Sequence, residues 1–235
     1  MSDITPSRLR FAINLGNAVL AHPGERGVPT GITPELSHRL AKRWGVAAEF
    51  VTYPAAGKVV ADAGKVVADA GGERWDIAFL AIDPAREATL RFTSPYITIQ
   101  GTALVRAGSP CQSVADMDRP ATTINVGQNA AYDLWLTRHL QHASLNRLPS
   151  SQEAIDAFLA GEGDMVAGIR QPLEATARRH PGVRVLADNF TEIQQAICVA
   201  RDDVVRFNAV NDALDEWRAD GSLEALIARH LGKAG

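Results

Sequence analysis

The sequence predicts an α/β fold made of two lobes, each an open sheet with helices on its faces. Segments with strand and helix patterns alternate along the 235 residues, an order typical of layered α/β domains. Residues 76–82 are nearly all apolar, as expected of a strand in a mainly parallel sheet covered on both faces. After a turn cluster at residues 107–110, the strand-then-helix order starts again, which indicates a second lobe.

The elements of the first lobe follow from local patterns. Residues 9–15 alternate between apolar and polar types and end at a Gly-Asn pair, which predicts a strand and then a loop. A helix is predicted to begin with Thr33 as the capping residue before Pro34, and to end at Gly45. Residues 48–53 form the next predicted strand.

The second lobe is expected to begin after the turn cluster. Its first strand is predicted at residues 123–126, and the helix that follows is predicted from about residue 131 to residue 142. We therefore assign residues 1–105 plus 195–235 to the first lobe and residues 106–194 to the second.

Composition excludes several classes of protein. The chain has 24 Lys and Arg against 27 Asp and Glu, with no basic run of the kind that nucleic acid binding requires. Cys111 and Cys198 match neither a metal-ligand spacing nor a disulfide framework, so two independent buried thiols are expected. The six histidines form no metal-ligand spacing, and phosphate-loop and dinucleotide motifs are missing from the sequence, so no metal or cofactor is expected.

The compartment stays open. The sequence as written reaches its first strand within about ten residues, which leaves no room for a signal peptide and predicts a cytoplasmic chain. A leader removed before this start would place the protein in the periplasm. No apolar run in the sequence approaches the length of a membrane span.

A tandem duplication interrupts the first lobe. Residues 56–62 read Ala-Gly-Lys-Val-Val-Ala-Asp, and residues 63–69 repeat these seven letters without a change. Seven residues span about two helical turns, so we expect the second copy to lengthen a helix, with a kink or a looped-out copy at Gly64 as alternatives. A longer helix with exposed valines would promote self-association of an otherwise monomeric chain.

Several segments together resemble the type II periplasmic solute-binding proteins, specifically family 3, the polar amino-acid-like substrate-binding proteins of ABC transporters. The matching segments are residues 29–36, 75–78, 83–86, 92–96, 160–164 and 211–231. The resemblance implies a clamshell of two α/β lobes joined by two crossing strands, which closes on a small ligand. It also implies an ABC permease as the partner. No enzymatic activity is expected, because the sequence offers no general acid at the matching position.

In the first lobe, the resemblance assigns the ligand's carboxylate to Arg86. This residue follows a buried strand, where open α/β sheets bind ligands, and its planar guanidinium can bind a carboxylate through two hydrogen bonds. The alternative is a surface arginine that caps its own helix, and Asp83 is expected to be a capping residue. Asn17 takes a loop position where many relatives have an aromatic residue, which implies a smaller and more polar ligand.

Three further residues of the first lobe are candidates for the site. Phe79 and Ala81 are expected to form part of an apolar floor, although core packing explains them equally well. Lys58, near the start of the first repeat copy, would direct a charge toward the ligand. Its twin Lys65 takes that role if the second copy occupies the original place in the fold, and both lysines are otherwise solvated.

In the second lobe, the resemblance places Gln128, Asn129 and Ala130 at a strand-to-helix turn whose backbone N–H groups favour an anion. Relatives usually have a hydroxyl there, so Gln128 and Asn129 remain as side-chain donors, or else as ordinary turn residues. Relatives that bind α-amino acids also have a carboxylate for the ligand's ammonium at the position of Ile169. Because a buried ammonium without a partner is costly, we expect a carboxylate or other anion without an amino group.

Two other functions are kept as alternatives. Some proteins of this fold are dehydratases that act on carboxylates, but the position of their general acid is again Ile169, and Glu174 is expected to be exposed. A soluble ligand sensor would use the same fold without a transporter. Arg170 is predicted to be either a second anion-binding residue or a solvated side chain.

Overall fold

The computed structural model of the protein describes residues 7–67 and 72–232. Within these residues the strands are β1 (Arg8–Asn14), β2 (His22–Pro23), β3 (Pro29–Thr30), β4 (Ala47–Tyr53), β5 (Val66–Val67), β6 (Gly72–Glu73), β7 (Ile77–Ala81), β8 (Leu90–Phe92), β9 (Ile97–Arg106), β10 (Thr123–Gly127), β11 (Ser144–Leu148), β12 (Met165–Ile169), β13 (Val183–Val185) and β14 (Thr191–Ala200). The α-helices are α1 (Ile32–Arg43), α2 (Ala56–Ala61), α3 (Ala131–His139), α4 (Ser151–Leu159), α5 (Arg170–Arg179), α6 (Val204–Ala219) and α7 (Ser222–Leu231).

The chain divides into two compact units. The first contains the residues up to Pro54, Lys58–Ile97 and the residues from Gln195 onward, and the second contains Ala55–Gly57 and Thr98–Gln194. Apart from the short segment Ala55–Gly57, the chain passes from one unit to the other within the long strands β9 and β14. None of the described helices is long and apolar enough to cross a membrane.

The first unit is a mixed sheet covered by helices. Strand β1 lies between β4 and β7 and is parallel to both, whereas β14 pairs antiparallel with β7. Helix α1 packs on β1 and β4, and α7 packs on α1 and α6. These elements enclose a hydrophobic core; its buried members include Phe11, Ile13, Leu36, Leu40, Ile77, Phe79, Leu214 and Leu226.

One partly buried ion pair fixes the start of β7 against β1. The carboxylate of Asp76 accepts hydrogen bonds from the backbone nitrogen of Arg10 at 2.7 Å and from its guanidinium at 3.1 Å. The backbone N–H of Asp76 in turn donates to the carbonyl of Arg10 at 2.8 Å. Because the carboxylate holds both the backbone and the side chain of one residue, the register of the two strands is set at this point.

The second unit repeats the plan with its own core. Strand β10 lies between β11 and β12 and is parallel to both, and β9 pairs antiparallel with β12 and β13. Helices α4 and α5 supply apolar faces to a core that contains Leu104, Ala154, Ile155, Phe158, Val166 and Leu173. Both cysteines are buried thiols, as predicted.

Two helix limits differ from the sequence prediction. Helix α1 begins at Ile32 with Gly31 at the capping position, and Thr33 is a buried residue of its first turn. Gly31 has φ of 125°, and a Cβ at this position would lie 2.6 Å from the carbonyl oxygen of Leu20. This conformation requires glycine, so the helix starts there despite the better capping side chain two residues later. Helix α3 ends at His139, three residues before the predicted end.

The two copies of the repeat have different structures, so the prediction of one lengthened helix is wrong. The first copy forms the short helix α2, whereas Gly64 in the second copy has φ of 66° and the chain then enters strand β5. Strand β5 pairs antiparallel with β6, and Arg74 N–H donates to the carbonyl of Lys65 at 2.9 Å. Residues 68 and 69, which end the second copy, lie outside the described residues.

The first copy of the repeat forms the helix that follows β4, and specific contacts hold it there. The side chain of Val59 is fully buried, and the carbonyl of this residue accepts a hydrogen bond from the indole N–H of Trp75 at 3.1 Å. The carboxylate of Asp62 accepts hydrogen bonds from the hydroxyl of Tyr53 at 3.1 Å and from Arg74 at 2.9 Å. The premise of the self-association hypothesis, a longer helix that exposes Val59, therefore does not hold.

We predict that Val59→Ala lowers the thermal midpoint of unfolding more than Val66→Ala does. The substitution at Val59 removes buried methyl groups and leaves a cavity, at a cost of about 2 kcal/mol, which corresponds to roughly 6 °C for a chain of this size. Differential scanning calorimetry of both variants measures the difference. A larger loss for Val66→Ala would mean that the second copy occupies the helix position in solution.

Candidate functional site

The candidate residues of the first unit follow the carboxyl ends of its parallel strands. Strands β1, β4 and β7 run in the same direction, so the segments that follow them meet at one edge of the sheet. Asn17 follows β1, helix α2 with Lys58 follows β4, and Arg86 follows β7. Ligands of open α/β sheets bind at this edge.

Arg86 is buried beneath the end of β7. The segment between β7 and β8 is a series of turns in which the carboxylate of Asp83 accepts the N–H of Ala85 at 2.9 Å and its carbonyl accepts the N–H of Arg86 at 2.9 Å. The guanidinium donates to the carbonyl of Ala81 at 2.9 Å, and only 3% of the residue is exposed. The alternative of a surface arginine that caps its own helix is wrong, because Arg86 is neither exposed nor in a helix.

The guanidinium of Arg86 is a positive charge that is largely removed from solvent. Burial lowers the pKa of Arg86, and the nearby carboxylate of Asp83 opposes that shift. Burial also raises the pKa of Cys198, which keeps this thiol neutral, and the charge of Arg86 opposes that rise. A guanidinium stays protonated in proteins, so this edge of the sheet carries a buried cation beside the carboxylate of Asp83.

Asn17 is also buried, and its carboxamide oxygen lacks a donor among the described residues. The residue is 6% exposed. Its backbone carbonyl accepts the N–H groups of Leu20 and Ala21 at 3.0 and 3.1 Å, which fixes the loop. The side-chain oxygen Oδ1 has no hydrogen-bond partner in this part of the chain. Buried polar atoms are nearly always paired in native proteins, so this atom is a candidate for a contact with a bound group.

The other first-unit candidates divide into core and surface residues. Phe79 and Ala81 are both 3% exposed, and Phe79 packs within the hydrophobic core. The carbonyl of Ala81 contributes to the site as an acceptor for Arg86. Lys58 lies on helix α2 with an exposed side chain, and Lys65 is exposed as well, 3.8 Å from Asp62.

In the second unit, the turn after β10 binds a carboxylate that belongs to the protein itself, the side chain of Asp133. Asn129 has φ of 59°, and its backbone N–H donates to the carboxylate of Asp133 at 2.8 Å. Asp133 is 1% exposed and also binds the guanidinium of Arg147 at 2.9 Å. Gln128 and Asn129 have exposed side chains, and Ala130 is the capping residue of α3 without a side-chain cap.

Ile169 and Arg170 lie at the same edge of the second unit's sheet, because β12 is parallel to β10. Ile169 is half-buried and occupies the N-cap position of α5. The guanidinium of Arg170 donates to Oδ1 of Asn189 at 2.6 Å and to the carbonyls of Leu186, Ala187 and Asp188 at 2.9 to 3.2 Å. Arg170 therefore organises this segment of its own chain and is not a solvated side chain.

Three residues near the candidate sites were not predicted from the sequence to take part in them: Tyr96, Asp133 and Cys198. The hydroxyl of Tyr96 is buried without a partner among the described residues, and burial raises the pKa of this group. Tyr96 packs edge-on against Phe79, and Cys198 lies near enough to influence both Tyr96 and Arg86. Asp133 could have been found, since acidic residues in the first turn of a helix often bind its free N–H groups.

The described residues contain no group of three or more potential metal ligands. Glu174 does not stand at the edge as an isolated acid, because its side chain is 42% exposed and lies 3.4 Å from Arg170. The charged side chains at the two edges therefore include the buried guanidinium of Arg86 and the exposed ammonium of Lys58 in the first unit, and Arg170 and Asp133, which bind groups of their own chain, in the second.

Comparison with known proteins agrees with this architecture. The L-cystine-binding protein TcyJ of Escherichia coli (strain K12) is 24% identical over 213 residues, which cover 89% of this chain and 77% of that protein. An ancestral arginine-binding protein bound to glutamine has a TM-score of 0.81 at 18% identity, covering 97% of this chain and 99% of its own. The ancestral amino acid-binding protein AncCDT-1, a precursor of cyclohexadienyl dehydratase, has a TM-score of 0.77 at 22% identity, covering 95% of both chains.

The structural likenesses show the α/β periplasmic-binding-protein fold that the sequence predicted. The sequence profile of the bacterial extracellular solute-binding proteins, family 3, matches residues 9–233, nearly the whole chain. The resemblance found in the sequence is thus confirmed, and the chain belongs to the bacterial extracellular solute-binding proteins of family 3.

Proposed function

We propose that this ABC-transporter solute-binding protein recognises a small carboxylate or other anion that has no amino group. The observation that carries the proposal is the burial of Arg86, whose guanidinium lies under the carboxyl end of β7 with 3% of the residue exposed. Desolvation of a cation makes its attraction to a carboxylate stronger than it would be in water. Two parallel hydrogen bonds from the guanidinium would also orient the ligand.

The absence of an amino group is proposed from the second unit. In receptors for α-amino acids, the position of Ile169 carries the carboxylate that pairs with the ligand's ammonium, and here it carries an apolar side chain. Two acids of this unit are engaged elsewhere: Asp133 binds Arg147, and Glu174 lies 3.4 Å from Arg170. The ligand that we propose for this chain therefore differs from those of the related cystine-binding and arginine-binding proteins.

We also propose that the two compact units are the two lobes of a clamshell, with an ABC permease as the partner of the protein. The predicted ligand contacts of the second lobe are Gln128, Asn129 and Ala130. Those of the first lobe, besides Arg86, are Asn17, Phe79, Ala81 and Lys58. Catalysis is not proposed, although AncCDT-1 is described as the precursor of a dehydratase. A dehydratase needs a positioned general acid, and Ile169 cannot serve as one.

We predict that Arg86→Ala abolishes carboxylate binding. Removal of a buried, hydrogen-bonded charge from a complex costs about 3 kcal/mol or more, which is at least about 100-fold in affinity. Isothermal titration calorimetry with paired series of carboxylates, with and without a 2-amino group, measures the effect. Arg86→Lys keeps the charge and loses the planar fork, so its loss should be smaller.

The matched control is Arg178→Ala, which removes an exposed arginine from α5. Its affinity for every carboxylate should equal that of the unaltered protein. Far-ultraviolet circular dichroism of each variant shows whether the fold is kept. Unchanged carboxylate binding in a folded Arg86→Ala variant would contradict the proposed anion site.

We predict that Ile169→Asp shifts the preference toward α-amino acids. Aspartate is favourable at the N-cap position that Ile169 occupies in α5, so the fold should accept it. The ratio of affinities for alanine and propionate should rise at least about tenfold, because the new carboxylate pairs with the ammonium. Ile169→Asn is the control, since it has the same shape without the charge. An equal rise in both variants would refute the electrostatic explanation.

A further inference from the structure

The carboxamide of Asn17 is a buried polar group of the first unit for which the proposed function names no hydrogen-bond partner. Its oxygen Oδ1 has no hydrogen-bond partner among the described residues, although the residue is 6% exposed. An acceptor that is removed from water in this way loses its hydrogen bonds to solvent and gains nothing in exchange. A group that donates a hydrogen bond to it would remove this cost.

The loop holds this side chain at the ligand-binding edge. The backbone N–H of Asn17 donates to the carbonyl of Asn14 at 3.4 Å, and its carbonyl accepts two N–H groups from Leu20 and Ala21. The neighbouring Gly16 packs so closely that a Cβ would lie 2.5 Å from the carbonyl oxygen of Pro54. The backbone of the loop is therefore fixed, which fixes the place from which the buried carboxamide of Asn17 extends.

Asn17 and Arg86 also belong to neighbouring strand ends. Strand β1 pairs in parallel with β7, with Phe11 opposite Ile77 and Ala12 opposite Ala78. Asn17 comes three residues after the end of β1, and Arg86 comes five residues after the end of β7. The two side chains thus stand at the same edge, one as a cationic donor and the other as a neutral acceptor.

We propose that Asn17 selects ligands that have a hydroxyl group beside the carboxylate, so that the solute is a 2-hydroxycarboxylate. This inference rests on the proposed function, because Arg86 has to hold the carboxylate. The hydroxyl donates to Oδ1 of Asn17 and supplies the missing partner. A carboxylate without a hydroxyl would leave this acceptor unpaired next to the ligand's own acceptors.

A neutral donor fits the site better than an ammonium does. An ammonium carries a charge that requires a carboxylate within contact, and Asp83 lies beside the charge of Arg86. A hydroxyl donates the same hydrogen bond and needs no counterion. Asn17 is in this way a specificity residue that distinguishes three ligands of nearly equal size.

The test uses matched triplets of acids that differ only at carbon 2, where they carry hydrogen, hydroxyl or an amino group. The triplets are propionate, lactate and alanine; succinate, malate and aspartate; and glutarate, 2-hydroxyglutarate and glutamate. Titration calorimetry of the unaltered protein and of the Asn17→Ala, Asn208→Ala and Arg86→Ala variants measures all nine acids. Asn208 is an exposed residue of α6 and serves as the matched control.

Within the triplet that binds, we expect the affinity for the acid with a hydroxyl at carbon 2 to be at least about fivefold higher than the affinity for the acid with hydrogen there. This preference should shrink below about twofold in Asn17→Ala and persist in Asn208→Ala. Equal affinities in the unaltered protein would overturn the inference, as would equal losses for both acids in Asn17→Ala. An amino acid that binds tightest would overturn it as well.

The outcomes also separate this inference from the proposed function. If a triplet binds in a manner that depends on Arg86 but shows no preference for the hydroxyl, only the role of Asn17 fails. If no acid of any triplet binds in a manner that depends on Arg86, the proposed anion site fails and the role of Asn17 fails with it.

Discussion

A guanidinium buried under the end of a parallel strand is the constraint on which this account depends. Arg86 can be buried because the turns between β7 and β8 direct its side chain back to the carbonyl of Ala81. Those turns are fixed by Asp83, whose side chain and carbonyl accept the N–H groups of Ala85 and Arg86. The strand itself is held in register by the ion pair of Asp76 with Arg10. Each of these contacts contributes to placing one positive charge at the edge of the sheet.

The polar residues that the structure describes at the two sheet edges fall into two groups: those with hydrogen-bond partners in their own unit and those without. The residues without partners are the better candidates for ligand contacts. In the second unit, Arg170 binds the segment from Leu186 to Asn189, and Asp133 binds Arg147 and the N–H of Asn129. These side chains have partners within their own unit and stabilise its loops. In the first unit, the oxygen of Asn17 lacks such a partner among the described residues. An unsatisfied buried atom is costly, so it carries more functional information than a satisfied one.

The sequence was sufficient to predict the fold and the position of Arg86. Alternation of strands and helices, the apolar strand before Asp83 and the motif around Arg86 all depend on short stretches of chain. The partners of Arg170 lie sixteen to nineteen residues away, and their direction depends on how a distant loop packs. The repeat shows the same limit more sharply, because identical letters form a helix in one copy and a turn with a short strand in the other. Tertiary contacts of Val59 and Asp62, and not local propensity, decide which copy is helical.

The most direct test of the buried-cation account is a crystal structure of the protein grown with its tightest-binding carboxylate. The account predicts that both carboxylate oxygens lie within about 3 Å of the guanidinium nitrogens of Arg86. It also predicts that the ligand's hydroxyl lies within about 3 Å of Oδ1 of Asn17. A carboxylate bound elsewhere, with the guanidinium of Arg86 in contact with protein groups alone, would contradict it.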